Sequence, residues 1–115
     1  MVLAAIPEII DQIKSYAVVG LGSDFKILTW NQGAKQIFKY KSDDILHKNL
    51  SHLLPKSPAT SKFLAELKTT LKYKHESEVE EQFLTRNQIP FWGSGYIYQN
   101  SKTESPFYIL IIRER

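Results

Sequence analysis

Histidine and cysteine carry much of protein chemistry near neutral pH, and this chain holds little of either. Its three histidines, His47, His52 and His75, have no compact metal-ligand spacing and read as surface or partly exposed residues. Cysteine is absent, which excludes disulfides, thiol nucleophiles, cysteine-ligated zinc and flavin–cysteinyl adducts, and leaves no argument for an oxidising compartment. The most informative polar residue is Asn31, inside the stretch Leu28 to Tyr40. Its amide can accept a bond from a first-turn N–H that has no intrahelical partner. A strand ending at Trp30 would then pass directly into a helix with Ala34, Ile37 and Phe38 on one face. An asparagine in an ordinary turn is the alternative, and the stretch alone leaves both open.

The flanking chain supplies the elements that position this join. Ile6, Ile9, Ile10 and Ile13 recur at helical spacing with Glu8, Asp11, Gln12 and Lys14 between them, and Pro7 suits a first turn, so residues 1–14 read as a short amphipathic helix. Such a helix is marginal alone and must dock on something. Tyr16 to Leu21 reads as a strand buried on both faces, and Gly22-Ser23-Asp24-Phe25 turns it into a second strand, Lys26 to Trp30. After the Asn31 join, Ser42 with Asp43 and Asp44 starts a short helical turn. Asn49 to Leu54 repeats that pattern and Pro55 stops it. Ser57-Pro58 caps the longest helix, whose stripe of Phe63, Leu64, Leu67 and Leu71 runs to about Lys74. Three strands follow: Glu78 to Arg86, Phe91 to Gln99 after the turn Asn87 to Pro90, and Phe107 to Arg113 after Asn100-Ser101-Lys102. Helices inserted between the second and third strands predict an α+β fold, a five-stranded antiparallel sheet carrying those helices on one face and the N-terminal helix on the other.

The chain has 115 residues, 43% hydrophobic and 23% charged, which is the composition of one soluble globular domain. A net charge of +3 is modest, and Lys62, Lys68 and Lys72 fall on a solvated helix face, so no nucleic-acid partner is predicted. The apolar run Phe107 to Ile112 is too short to span a bilayer and the N-terminus lacks a basic region before its apolar residues. No membrane insertion and a cytoplasmic location are expected.

Several short motifs in fixed order carry a family resemblance. They are Ala17-Val18-Val19-Gly20-Leu21, Asp24-Phe25-Lys26-Ile27, the Trp-Asn-x-x-Ala-x-x-x-Phe-x-Tyr run of Trp30 to Tyr40, and Ser42 to Leu46. They continue with Asn49-Leu50 leading to Leu53-Leu54-Pro55, and Pro90-Phe91-Trp92. With these the chain resembles a PAS domain, a sensory module of signalling proteins, over residues 15–115. The resemblance implies sheet order 2-1-5-4-3, an apolar pocket between the helices and one sheet face, and an attached output domain such as a histidine kinase or cyclic-dinucleotide enzyme. The pocket would be lined by Val19, Leu21, Phe83, Phe91, Leu110 and Ile112 from the sheet and by Leu50, Leu54, Phe63 and Leu67 from the helical side. Gly93 and Gly95 would either open room for a ligand there or let the long helix pack against backbone. Where the family commonly has glycine, this chain has Phe25, His47 and Gln88, and His47 is expected to take a positive φ. The family often pairs positions matching Asp44 and Arg86 across the surface.

The resemblance also narrows the ligand. Flavin-binding members carry Asn-Cys-Arg where this chain has Asn49-Leu50-Ser51, and they point amides at the ring from positions matching Phe83, Gly93 and Ile112. Haem-binding members use a histidine at a position matching Tyr73, with His75 two residues on. No cofactor is therefore predicted, and the pocket is left either to an unidentified small apolar molecule or to no ligand at all. An isomerase-like enzyme would need an acid or base on the pocket wall, and the expected inner positions offer none, so no catalytic residue is predicted. A ligand-free interaction domain with a filled core is the remaining alternative. Strand alternation puts Trp92, Tyr96 and Tyr98 on the outer face beside Ile109 and Ile111, too much aromatic area to leave in water. The helix of Ile6, Ile9, Ile10 and Ile13 is the expected cover, in the same chain or exchanged in a homodimer.

Overall fold

A computed structural model describes residues 9–100 and 106–115 of the chain, so Ile6 and the turn residues Ser101 and Lys102 lie outside the described residues. The strands are β1 (Ala17–Leu21), β2 (Ile27–Trp30), β3 (Glu76–Leu84), β4 (Pro90–Gln99) and β5 (Tyr108–Glu114). The helices between β2 and β3 are α1 (Gln32–Phe38), α2 (Ser42–Ile45), a 3-10 turn (Leu50–Leu53) and α3 (Pro58–Tyr73). The fold is α+β, and the sheet is antiparallel in the order β2-β1-β5-β4-β3, as the resemblance implied.

The polar caps fall where the residue types require them. Asn31 accepts from the Ala34 amide, Asn49 from the Ser51 amide and Ser57 from the Thr60 amide, and Pro58 opens α3 with no N–H to lose. The short helix α2 starts at Ser42 as expected, with Asp43 and Asp44 in its first turn. The cap of α2 is Lys41, which makes no side-chain cap bond, and Ser42 is the first helical residue. The expected third strand also shifts toward the N-terminus, ending at Leu84. Thr85 closes a turn there: its amide donates to the Ile89 carbonyl and its hydroxyl accepts from the Ile89 amide, while the Arg86 amide is taken by the Phe38 carbonyl. Arg86 thus leaves the strand, and it forms no ion pair with Asp44; the described pairs are Lys26–Asp24, Lys62–Glu66 and Arg115–Glu80.

Four non-glycine residues have positive φ: Phe25, Lys39, His47 and Gln88, with φ between 64° and 70°. Three of them stand where the family commonly has glycine, and His47 takes the conformation expected of it. Each costs on the order of 1–2 kcal/mol, so the surrounding contacts must hold them. Phe25 is buried and set edge-on to Tyr108, with ring centroids 5.2 Å apart. The His47 amide donates to the Ile27 carbonyl at 2.7 Å and the Ile27 amide to the Lys48 carbonyl at 2.8 Å. The segment after α2 therefore covers the free edge of β2.

Residues 9–12 are helical, and Ile10 lines a small niche with Val18, Thr29 and Asn31. This places the described end of the N-terminal segment over the β1–β2 side of the outer face. Asn31 holds it there. Its Nδ2 donates to the carbonyls of Ile10 (3.1 Å), Ile13 (3.1 Å) and Tyr16 (3.0 Å), while Oδ1 accepts from the amides of Val18 (2.9 Å) and Ala34 (2.8 Å). With its carbonyl taken by Asn31, Tyr16 stays outside β1, which begins one residue later than expected.

Asn31→Ala combines the loss of a cap with buried backbone groups left unpaired. Urea unfolding should show a loss of about 2–4 kcal/mol. Asn31→Asp keeps both acceptor bonds but removes the amide donor and sets a carboxylate against three carbonyls, so at pH 7 it should be at least as damaging, with partial recovery when the acid protonates. An Asp variant as stable as wild type would show that the carbonyl clamp carries no stability.

Candidate functional site

The inner wall of the sheet is built by alternation. Val19, Leu21, Leu110, Ile112, Ile97, Val79 and Phe83 are buried on it, and Leu50, Leu53, Leu54, Leu67 and Leu71 are buried from the helical side. Phe63 and Phe91 are partly buried against the same core. Phe38 of α1 fills the space that a pocket would occupy there, with ring centroids 5.6 Å from Phe83 and 5.4 Å from Phe91. The two glycines are likewise enclosed. A Cβ at Gly93 would stand 2.7 Å from Ile112 Cγ2 and 2.8 Å from Phe83 Cδ2, and one at Gly95 would meet the Ile111 carbonyl oxygen. The room beside Gly93 is taken by side chains of β3 and β5 rather than by the long helix, because those strands flank β4 and their large residues lean across it.

Open space lies one layer outward. A cleft of about 810 Å³ runs between the 3-10 turn, the first two turns of α3 and the end of β3, within the usual range for small-molecule sites. Tyr40, Leu54, Leu64 and Leu84 give it apolar surface, and Ser51, His52, Lys56, Ser57, Thr60, Ser61 and Gln88 line the remainder with Pro55. Of the residues expected to line a pocket, Leu54 alone borders this cleft. Leu64 was legible as part of the helical stripe. Leu84 was hidden by the two-residue shift of β3, which puts it at the strand end, Gln88 read only as part of the turn, and the serine and threonine residues read simply as a helix start.

A carboxylate on the inner face was also passed over in the sequence. Glu81 lies opposite Gly93, between Val79 and Phe83 on the helix-facing side of β3. Burial pushes its carboxyl above the ordinary glutamate value, a backbone hydrogen bond at Gln82 opposes the rise, and the Glu66 carboxylate on α3 adds to it. Burial alone raises the Tyr108 phenol. The positions considered for haem stand in solvent, Tyr73 being 85% exposed and His75 exposed. No group of three or more potential metal ligands occurs among the described residues.

The opposite face of the sheet carries cross-strand rows. Glu76, Tyr98 and Ile109 form one, and Glu78, Tyr96, Ile111 and Val18 the next. Trp92, Tyr96 and Tyr98 are 51%, 44% and 37% exposed, with the two tyrosine rings stacked at 5.9 Å. Ile9 is exposed and Ile10 and Ile13 are partly buried.

A sheet in this order, with helices gathered between its second and third strands, matches known proteins. The family model for the PAS domain matches residues 15–115, and the chain belongs to that family. Among solved structures it is similar to a PAS domain of a protein from Colwellia psychrerythraea, at 14% identity and a TM-score of 0.89, covering 100% of this chain and 98% of that one. A PAS domain from a two-component sensor histidine kinase gives 15% identity and a TM-score of 0.81, with 98% and 96% covered. The PAS domain of a LuxR-family transcriptional regulator from Burkholderia thailandensis, solved in complex with ethanol, gives 14% and 0.77, with 93% and 95% covered. A search of curated proteins found no match.

Between the ordinary glutamate value and the raised one of Glu81, the folded protein holds more protons than the unfolded chain, so stability falls as pH rises through that interval. Glu81→Gln should therefore melt at a higher temperature than wild type at pH 7 and show no gain at pH 4. An equal gain at both pH values would mean that packing, not desolvated charge, sets the difference.

Proposed function

We propose that this PAS domain is the sensory module of a larger cytoplasmic signal-transduction protein, is not itself an enzyme, and receives a small, largely apolar molecule in the cleft beside α3. The family's association with a sensor histidine kinase and a LuxR-family regulator supports the signalling role. The observation that carries the ligand reading is the cleft itself, with apolar residues from four separate segments facing one space of about 810 Å³ while the sheet-side interior is filled. The attached output domain would sense occupancy through α3 and the hairpin of β3 and β4, the elements that the cleft separates. No helix of the described residues is long and apolar enough to cross a membrane.

A second reading concerns the outer face. The stacked, exposed aromatics of β4 beside Ile109 and Ile111 favour burial against a second copy, with Ile6, Ile9, Ile10 and Ile13 contributing in cis or by exchange.

Mass spectrometry of the denatured protein should reveal a bound small molecule, and Leu64→Trp, which puts an indole into the cleft, should lose it while keeping the wild-type circular dichroism. If wild type and variant carry the same molecule in equal amount, the ligand does not sit in the cleft. For the outer face, light scattering at high micromolar concentration should give the mass of a dimer for wild type and of a monomer for Trp92→Ser/Tyr96→Ser. A monomeric wild type at that concentration would remove the homodimer.

A further inference from the structure

We infer that the molecule taken by the cleft is an amphiphile with a single anionic head, a small organic carboxylate with an apolar body. This rests on the reading that the cleft binds a small molecule and adds its chemical class. The twelve residues that line the space divide by chemistry and by position. Tyr40, Leu54, Leu64 and Leu84 are buried or partly buried and form apolar surface at its base. Such a surface accepts a ring or a short chain and gives nothing to a fully polar ligand.

The polar lining, which also holds the Gln88 amide, has one fixed charge, and it is positive. It includes the cation of Lys56, the imidazole of His52 and the hydroxyls of Ser51, Ser57, Thr60 and Ser61, and no aspartate or glutamate. Lys56 is exposed and has no ion-pair partner among the described residues, so no carboxylate of the described residues competes with a ligand for it. The Ser57 Oγ accepts from the Thr60 amide at 3.3 Å and stands 3.4 Å from Thr60 Oγ1, too far for a strong bond, so both hydroxyls can turn their protons to another acceptor. A carboxylate at this rim would gain the lysine and hydroxyl donors together. An alcohol of the same shape would gain the apolar surface with weaker polar contacts, and an amine would be set against Lys56 with no carboxylate to receive it.

Three probes of one shape separate these contributions: 4-phenylbutyrate, 4-phenylbutan-1-ol and 4-phenylbutylamine, titrated into nitrogen-15-labelled protein and followed by amide shifts. The acid should bind about tenfold tighter than the alcohol, with the amine weakest, and all shifts should centre on Leu54, Leu64 and Leu84. Lys56→Glu, at an exposed loop position, should weaken the acid to the level of the alcohol or below and leave the alcohol unchanged. Acid and alcohol binding equally at the cleft, with Lys56→Glu without effect, would overturn the anionic assignment while the cleft remained a site. If none of the three shifts the cleft amides of wild type, the cleft reading falls and the assignment with it.

Discussion

Everything in this fold depends on the side chain of Asn31. It is 4% exposed and makes five hydrogen bonds to backbone groups of segments far apart in sequence. One oxygen joins β1 to the start of α1, and one amino group collects three carbonyls of the chain entering β1. Only a neutral amide has both an acceptor and two donors on so short a stem. The helices that follow, and hence the wall of the cleft, take their direction from this corner. Gly33 adds to it, since a Cβ there would run into the Tyr16 carbonyl.

A second constraint is the competition between aromatic packing and ligand space. Phe38, Phe83 and Phe91 are mutually within 6.0 Å between ring centroids, and that cluster closes the interior next to the sheet. Gly93 looks from sequence like a vacancy, but its missing side chain accommodates Phe83 and Ile112. Open volume lies instead beside the 3-10 turn. There the positive φ of Gln88 turns the β3–β4 hairpin, whose Leu84 and Gln88 border the cleft. The left-handed non-glycine residue Gln88 therefore bears on the site as well as on stability. His47 is held by a bond to Ile27 and Phe25 by one from the Leu50 amide, whereas Lys39 and Gln88 bond within their own helix end and turn, to Lys35 and Thr85.

Much of the architecture was legible in the residues. Asn31, Asn49 and Ser57 announced their helix starts because capping needs a short polar side chain before an apolar stripe, a local requirement. The spacing of Phe63, Leu64, Leu67 and Leu71 marked α3, and the apolar character of the last strand agreed with its central place between β1 and β4. The candidate site was far less legible. Leu54 and Leu64 lay in recognisable stripes, but Leu84 was read as an interior strand residue when it is the last residue of β3, Gln88 was read only as part of a turn, and Ser57, Thr60 and Ser61 carried no sign of facing a cleft. Glu81 could have been placed on the inner face by counting back from Phe83, a period-two inference that its charge obscured.

Local chemistry in the sequence determined where helices cap, which strand faces are apolar and, through an ordered set of motifs, the family and its sheet order. Only the tertiary structure decided what fills the space between helices and sheet and where open volume is left. Caps and periodicity act over a few bonds, whereas a cavity depends on how side chains from four or more distant segments meet, and a shift of two residues in one strand changes its lining.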